Sequence, residues 1–158
     1  MASEAESKTA LPLVGSLAFQ ASTWYLLART GAVAYQRWAD MLARLKVTPS
    51  QYKVVMALGE TGPLGQQRLA ELVGIDPRNA VPIIETLVEQ SLVRRQVDPA
   101  DRRRRVLQLT AKGQRLADKL ASIGDNIERD FLHPLAPTDQ PRLQSMLLAL
   151  LGTPEGLE

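Results

Sequence analysis

The chain has 158 residues, with no cysteine and a single histidine, His133. Without cysteine, the chain has no disulfides, thiolate nucleophiles, cysteine-ligated zinc sites or thiol redox sensors. With one histidine, a histidine metal cage or a Ser-His triad would have to be assembled across subunits. The phosphate-binding loop GxxxxGK(S/T) is also missing. We therefore do not expect an enzyme, and we expect no cofactor.

Long hydrophobic runs are also missing from the sequence. No stretch of about 18 uncharged apolar residues occurs, so a membrane-spanning helix is not expected. The stretch Met1 to Thr9 lacks the basic start and apolar core of a signal peptide. With 45% hydrophobic residues, the chain is long enough for one domain with a sizeable core. We expect a cytoplasmic protein that does not associate with membranes.

Charge of one sign is scarce over the whole chain, since the net charge is only +2. The basic residues are nevertheless concentrated. Residues 78–115 contain nine Lys or Arg and four Asp or Glu, a net charge of +5, whereas the rest of the chain carries −3. One basic patch on a mildly acidic body is typical of a protein that presents one face to a polyanion. The alternative is a solvated arginine-rich surface.

Two regions flanking the middle of the chain have helical periodicity. In the first, apolar side chains recur every seven residues, at Leu17, Trp24, Trp38 and Leu45, with Gly31 at the same spacing. This pattern predicts one long amphipathic helix over about 13–45 that packs against another long helix. Near the other end, Thr110 is predicted to cap a helix that stops at His133-Pro134, and Thr138 to open a last helix to about Leu151.

The middle of the chain has clear start and stop signals. Thr48-Pro-Ser-Gln51 combines an N-cap, a first-turn proline and a capping-box glutamine, which predicts a helix to about Gly59. A short helix over 66–73 is ended by Gly74, and Asp76-Pro77 starts a third helix that runs to about Gln90. The strand-like runs 92–96 and 104–109 are joined by a turn-rich stretch and predict a β-hairpin.

This order of elements is the layout of a winged helix-turn-helix in a mainly α fold of about six helices. In such a fold, the second helix of the helix-turn-helix enters the major groove and reads base edges. The hairpin tip, here loaded with Arg102, Arg103, Arg104 and Arg105, inserts cations into the narrower minor groove. Alternation along the strand divides the four arginines between two faces, so we do not expect them to share one role.

Several motifs of the chain resemble the MarR family of bacterial transcription regulators. They are Thr48-Pro-Ser-Gln51, Leu69-Ala-Glu-Leu72, Ile75-Asp-Pro77, Leu87, Leu92-Val-Arg-Arg95, Asp98-Pro-Ala-Asp-Arg-Arg103 and Leu109-Thr-Ala-Lys-Gly113. The resemblance extends over about residues 17–151. Its most specific part is the wing acid-x-Arg followed by Leu-Thr-x-x-Gly.

The resemblance implies a homodimer that binds double-stranded DNA at a pseudo-palindromic operator. It places dimerisation helices at 11–47 and 111–152 and the DNA-binding domain at 48–110. The small, polar residues 1–10 predict a disordered lead, and 153–158 form a tail. It also implies a repressor that is released by a small aromatic or phenolic effector. The apolar character of both terminal regions fits a dimer interface.

The predicted DNA contacts on the third helix are Arg78 and Asn79, whose geometries suit guanine and adenine, and Val81, which suits a thymine methyl. The alternatives are a solvated Arg78 and an N-cap role for Asn79. Pro82 complicates this helix. If the helix starts at Pro77, Pro82 lies inside it and removes an amide donor; if Asn79 is the cap, Pro82 falls in the first turn. We favour the Pro77 start with a bend.

The remaining DNA contacts are predicted in the wing and at the start of the short helix. Asp101 and Arg103 match the family's wing pair, in which the carboxylate is expected to orient the arginine; the alternative is a local turn salt bridge. Of Arg94 and Arg95, one is expected to face the phosphate backbone and the other the protein body. The amides of Gln66 and Gln67 suit phosphate contacts, although both are also ordinary helix-start residues.

A ligand site is predicted on the long first helix, from four residues: Trp24, Arg29, Tyr35 and Trp38. Aromatic side chains beside an arginine suit an aromatic carboxylate, although dimer or core packing is the favoured role of the two tryptophans, which share a heptad position. No metal site is expected, since the acidic residues near His133 fit a solvated helix face. The main rival to a DNA-binding regulator is a winged-helix module that binds another protein.

Overall fold

The computed structural model describes residues 17–98 and 100–152, which fall into two compact units on either side of the Gln36–Arg37 bond. The described elements are a 3-10 helix at Ala18–Ala21, α1 at Thr23–Leu45, α2 at Pro49–Thr61, α3 at Gln66–Leu72, α4 at Pro77–Glu89, β1 at Val93–Val97, β2 at Arg105–Leu109, α5 at Ala111–Leu132 and α6 at Asp139–Leu150. The mainly α fold with six α-helices and one hairpin confirms the predicted class.

In the first unit, the long helix starts later than the sequence pattern indicates. A separate 3-10 turn precedes it, and α1 begins only at Thr23 because the backbone of Ser22 is extended. The hydroxyl of Ser22 accepts a hydrogen bond from the Tyr25 amide at 3.3 Å and donates one to the Phe19 carbonyl at 2.7 Å. The predicted stretch before residue 17 lies outside the described residues, as do the predicted lead 1–10 and tail 153–158.

In the second unit, one apolar core forms where α2, α4, α5 and the hairpin meet. Its fully buried large side chains include Leu42, Val55, Ile84, Leu87 and Leu120. These residues come from four helices, and α3 adds Leu69. Burial of such side chains stabilises the domain by about 1.5–3 kcal/mol each relative to exposure. The core therefore holds the helix-turn-helix and the base of the hairpin as one body.

The starts of α2 and α4 confirm the predicted caps. The hydroxyl of Thr48 accepts the Gln51 amide at 3.2 Å, and the Gln51 side chain accepts the Thr48 amide at 2.9 Å, which completes a capping box. The Asp76 carboxylate accepts the Arg78 amide at 2.8 Å, so Asp76 and not Asn79 is the cap of α4. Pro82 accordingly lies inside the helix.

The hairpin pairs β1 with β2 in antiparallel register, with Val93 opposite Leu109 and Val97 opposite Arg105. On the other edge of β2, Leu64 and Leu107 exchange two backbone hydrogen bonds of 3.1 and 2.8 Å. These bonds satisfy part of an edge that would otherwise be unpaired. The segment before α3 is thereby fixed to the base of the wing.

The last two helices differ in burial. Helix α5 buries Gly113, Ala117 and Leu120 along one face and ends at His133, its C-cap residue. Helix α6 has no buried residue, and Thr138, predicted to open it, makes no side-chain cap hydrogen bond. Within the described ranges, no helix combines the length and apolar character needed to cross a membrane.

Candidate nucleic-acid interface

Helix α4 is divided sharply into a buried and an exposed face. Ala80, Ile84 and Leu87 are at most 1% exposed and anchor it in the core. Near its N-terminus, the three predicted contacts Arg78, Asn79 and Val81 are exposed. The core thus anchors the buried face of the helix, and the exposed face of its first two turns stays accessible to a partner, as major-groove reading requires.

Pro82 lies on this exposed side of α4 and does not interrupt the helix. It has no amide hydrogen for the Arg78 carbonyl, so one intrahelical hydrogen bond is missing close to the predicted contacts. The Thr86 hydroxyl donates to the Pro82 carbonyl at 2.9 Å, one turn further on. The predicted start of the helix is confirmed.

The wing turn is held by two carboxylates that accept backbone amides. Asp98 accepts the Ala100 amide at 2.8 Å, and Asp101 accepts the Arg103 amide at 3.0 Å. The Arg104 amide also donates to the Asp101 carbonyl at 2.9 Å. These bonds form Asx-type turns, which pre-order the tip without using the arginine side chains.

Asp101 was expected to orient the Arg103 side chain, and the structure corrects how it acts on Arg103. Its carboxylate orients the backbone of Arg103, and no ion pair of 4.0 Å or less joins the side chains of these two described residues. The reason is geometric, because residues two apart in a turn bring a side-chain oxygen onto a backbone amide. A local salt bridge in the turn, the alternative role, is also excluded, because Asp101 forms no ion pair with another described residue.

All four tip arginines, 102–105, are exposed. None of them forms an ion pair with another described residue. Arg105 lies opposite Val97 at the open end of the hairpin, whereas Arg102 and Arg103 lie in the turn itself. The tip is thus a cluster of uncompensated guanidinium groups on a pre-ordered turn.

Arg94 and Arg95 point to opposite faces of the hairpin, as strand alternation requires. The Arg94 guanidinium donates twice to the Gln108 side-chain oxygen across the strands, at 3.2 and 2.8 Å. Arg95 pairs with Leu107, on the face that holds buried Val93. Arg95 therefore lies on the face of the hairpin that carries the core residues Val93 and Leu107, and Arg94 lies on the other face, although both arginine side chains are exposed.

The start of α3 lies beside the tip end of the wing. A cavity of about 580 Å³ between them is lined by Gln66 and Gln67 on one side and by Arg104 and Arg105 on the other. Arg68 and Glu71, which pair at 3.4 Å, also line it. The structure therefore brings together predicted contacts that are about 40 residues apart in the sequence.

The Leu-Thr-x-x-Gly motif joins α4 to the wing, a role that sequence reasoning missed. The Thr110 hydroxyl donates to the Ser91 carbonyl at 2.7 Å, and the Lys112 ammonium donates to the Gln90 carbonyl at 2.8 Å. Gln90 is the C-cap of α4, so Lys112 satisfies a carbonyl at the negative end of that helix. The motif is the sequence signal from which this role could have been found, although it does not identify the carbonyls of Gln90 and Ser91 as the acceptors.

The four predicted ligand residues are divided between the two units. In the first unit, Trp24 is 81% exposed and Tyr35 60% exposed, and Arg29 is partly buried. In the second, Trp38 makes an edge-to-face contact with Tyr52, with 5.5 Å between ring centroids. That contact favours packing as the role of Trp38. Among the described residues, no cluster of three acidic or histidine side chains could hold a metal ion.

Taken together, the helical core, the exposed start of α4 and the arginine-loaded hairpin define a winged helix-turn-helix DNA-binding protein. Residues 47–104 match the model of the MarR family. The transcriptional regulator HosA of Escherichia coli O111:H- is 30% identical over 116 residues, which cover 73% of this chain and 84% of HosA. The chain therefore belongs to the MarR family and is a DNA-binding transcriptional regulator.

Two further relatives agree with this assignment. The HTH-type transcriptional repressor NicR of Pseudomonas putida is 31% identical over 126 residues, covering 77% of this chain and 80% of NicR. The crystal structure of the transcriptional regulator PcaV of Streptomyces coelicolor, in complex with its natural ligand, has a TM-score of 0.67 and 26% identity. The structural match covers 87% of this chain and 97% of PcaV. Both relatives are transcriptional regulators.

Proposed function

We propose that this regulator is a homodimeric repressor that binds a pseudo-palindromic operator in double-stranded DNA and is released by a small ligand. The observation that carries the proposal is the pairing of two exposed elements on one core: the start of α4 and the arginine tip of the wing. Together they offer one element for base reading and one for phosphate or minor-groove contact.

Within this proposal, the contacts divide by chemistry. Arg78, Asn79 and Val81 on α4 read bases, because their side chains leave an anchored helix on its exposed side. The wing arginines 102–105, with Arg94 and Arg95, supply sequence-independent attraction to phosphates. Gln66 and Gln67 donate to phosphates from the start of α3. Asp101 acts through the turn that it holds.

Exposed apolar side chains support the homodimer. Met146 and Leu150 in α6 and its C-cap residue Leu151 are 55–78% exposed. In the first unit, Leu17, Phe19 and Trp24 are 55–81% exposed. Exposed apolar surface of this kind is typical of an interface, and in an obligate dimer a second copy covers it.

Repression and ligand release rest on the relatives. NicR is a transcriptional repressor, and PcaV has a natural ligand bound in its crystal structure. For this chain, the four residues Trp24, Arg29, Tyr35 and Trp38 remain the proposed ligand contacts. An aromatic carboxylate suits them because indole and phenol rings offer stacking surfaces and Arg29 offers a charge.

The proposal is tested by fluorescence anisotropy with the DNA upstream of the protein's own coding region and a scrambled duplex. Titrations at about 50 and 200 mM salt measure the electrostatic part of the binding free energy. We expect the upstream DNA to bind on the order of 1000-fold more tightly than the scramble. Equal binding to both duplexes would contradict sequence-specific reading, and no binding to either would favour a protein-binding module.

Two variants separate base reading from phosphate attraction. Asn79→Ala is expected to relax the preference at one base position, at a cost of about 1–3 kcal/mol on the preferred operator. Arg103→Ala is expected to weaken binding to every duplex and to lower the salt slope by about one unit. Lys53→Ala removes an exposed charge from α2 and is the matched control. Uniform weakening by Asn79→Ala would contradict its base-reading role.

A further inference from the structure

A cavity of about 310 Å³ lies on a part of the second unit that the proposed DNA contacts do not use. It is bounded by the turn between α1 and α2, the C-terminal end of α4 and the first turns of α5. Its apolar walls include Leu87, Leu92 and Leu116. Leu87 and Leu92 are buried core residues, so the wall is part of the rigid body of the domain. This volume is within the usual range of small-molecule sites.

The charged groups of this cavity are all of one sign. Lys46 and Lys112 line it, together with two glutamines, and its lining within the described residues includes no acidic side chain. The apolar part of the lining is aliphatic, without an aromatic ring. An ammonium pair over an aliphatic wall complements a ligand with one carboxylate and an aliphatic body.

Lys46 and Lys112 are each placed by the backbone. Lys46 has a φ of 54° and ends α1 in a left-handed turn, in which its amide donates to the Ala43 carbonyl at 3.1 Å. Lys112 is held by its hydrogen bond of 2.8 Å to the Gln90 carbonyl. An ammonium group has three N–H donors, and this bond uses one of them. The group therefore keeps donors for a carboxylate while it stays attached to α4.

We propose that this cavity is a binding site for a small aliphatic monocarboxylate, with the carboxylate held by Lys46 and Lys112 and the hydrocarbon against Leu87, Leu92 and Leu116. The site differs from the proposed aromatic contacts on α1, since it shares no residue with them. Its occupancy is also sensed at α4, the recognition helix of the helix-turn-helix, because Lys112 satisfies the carbonyl of the α4 C-cap residue Gln90. This second part rests on the proposed function.

The site itself is tested by isothermal titration calorimetry on the full chain without DNA, with hexanoate and the uncharged hexanamide as probes. We expect hexanoate to bind and to bind at least about 10-fold more tightly than hexanamide, since a charged hydrogen bond is lost in the amide. Equal binding of the two probes, or no binding of hexanoate, overturns the site.

Variants assign the binding to the two lysines. Lys46→Met and Lys112→Met keep the aliphatic stem and remove the charge, and each is expected to weaken hexanoate binding by about 10-fold. Lys53→Met is the control, an exposed lysine on α2 outside the cavity. Lys112→Met also removes the hydrogen bond to the Gln90 carbonyl. If Lys112→Met therefore does not fold, Lys46→Met and the charge-retaining Lys112→Arg test the site in its place. Unchanged affinity in Lys46→Met overturns the assignment.

The link to α4 is tested separately, by operator titrations with and without saturating hexanoate. A carboxylate on Lys112 reduces the positive charge facing the end of α4, so we expect operator affinity to fall by at least about threefold. Lys46→Met should reduce this effect in proportion to its loss of hexanoate binding. Unchanged operator affinity at saturation overturns the link. If the wild type binds no operator, the proposed function fails, whereas calorimetry still decides the site.

Discussion

Gly113 packs against the backbone carbonyl of Leu92 with no room for a side chain. A Cβ atom at this position would overlap the Leu92 oxygen and would lie 3.2 Å from Cδ2 of Leu109. The same carbonyl accepts the Thr110 amide at 3.0 Å. The first turn of α5 is thus fastened directly to the peptide that joins α4 to β1. In this protein the Leu-Thr-x-x-Gly motif positions the recognition helix and the wing relative to each other.

We expect Gly113→Ala to lower the free energy of unfolding by about 1–3 kcal/mol, because the added methyl must displace the α4–β1 connection. Gly124→Ala in the same helix is the matched control. Its Cβ would have nothing within 4 Å, so the better helix propensity of alanine should raise stability by up to about 1 kcal/mol. Urea denaturation of both variants measures the difference. A stable Gly113→Ala protein would contradict the close packing.

The role of Asp101 is tested by two substitutions that differ in one property. Asp101→Asn keeps a side-chain oxygen for the Arg103 amide and removes the charge; Asp101→Ala removes both. If the carboxylate acts by holding the turn, Asp101→Asn should bind DNA as well as the wild type. Asp101→Ala should bind about 3- to 10-fold more weakly, because a hydrogen bond worth about 1 kcal/mol is lost. Equal weakening in both variants would show that the charge is what matters.

Pro82 gives a prediction on the stability of the recognition helix. Pro82→Ala restores an amide donor in the interior of α4 at an exposed position, and we expect the free energy of unfolding to rise by about 1–3 kcal/mol. Pro77→Ala in the first turn is the control, with a change below about 1 kcal/mol, since that amide has no intrahelical partner. Thermal denaturation compares the two. A loss of stability in Pro82→Ala would mean that the proline fits the helix better than an alanine.

The N-caps of α2 and α6 give a matched pair of threonines. The Thr48 hydroxyl accepts the Gln51 amide, whereas the Thr138 side chain makes no cap hydrogen bond. Thr48→Ala should therefore lower the free energy of unfolding by about 1 kcal/mol, and Thr138→Ala should leave it nearly unchanged. Chemical denaturation monitored by circular dichroism measures both. Equal losses would indicate that threonine at these positions acts through something other than capping.

Local signals predicted the second unit well. Thr48-Pro-Ser-Gln51 and Asp76-Pro77 fixed two helix starts, and the alternation over 92–109 located the hairpin. The two helix starts depend on hydrogen bonds between residues at most three apart, and the strands show an alternation of apolar and polar residues, so the sequence displays both signals directly. The start of α1 was missed because the extended backbone of Ser22 separates the helix from the 3-10 turn before it, and a seven-residue period does not detect such a break.

The tertiary structure decided which groups each side chain meets. Composition and motif order were enough to determine a winged helix-turn-helix with a basic tip, because periodicity and turn chemistry act within short windows. Only the tertiary structure shows that Lys112 donates a hydrogen bond to the Gln90 carbonyl and that Arg94 donates to Gln108. It also shows that Gln66 and Arg104 line the same cavity. It also decides that Asp101 bonds a backbone amide and not a guanidinium. Such contacts join distant residues or depend on angles, and neither is encoded in the spacing of residue types.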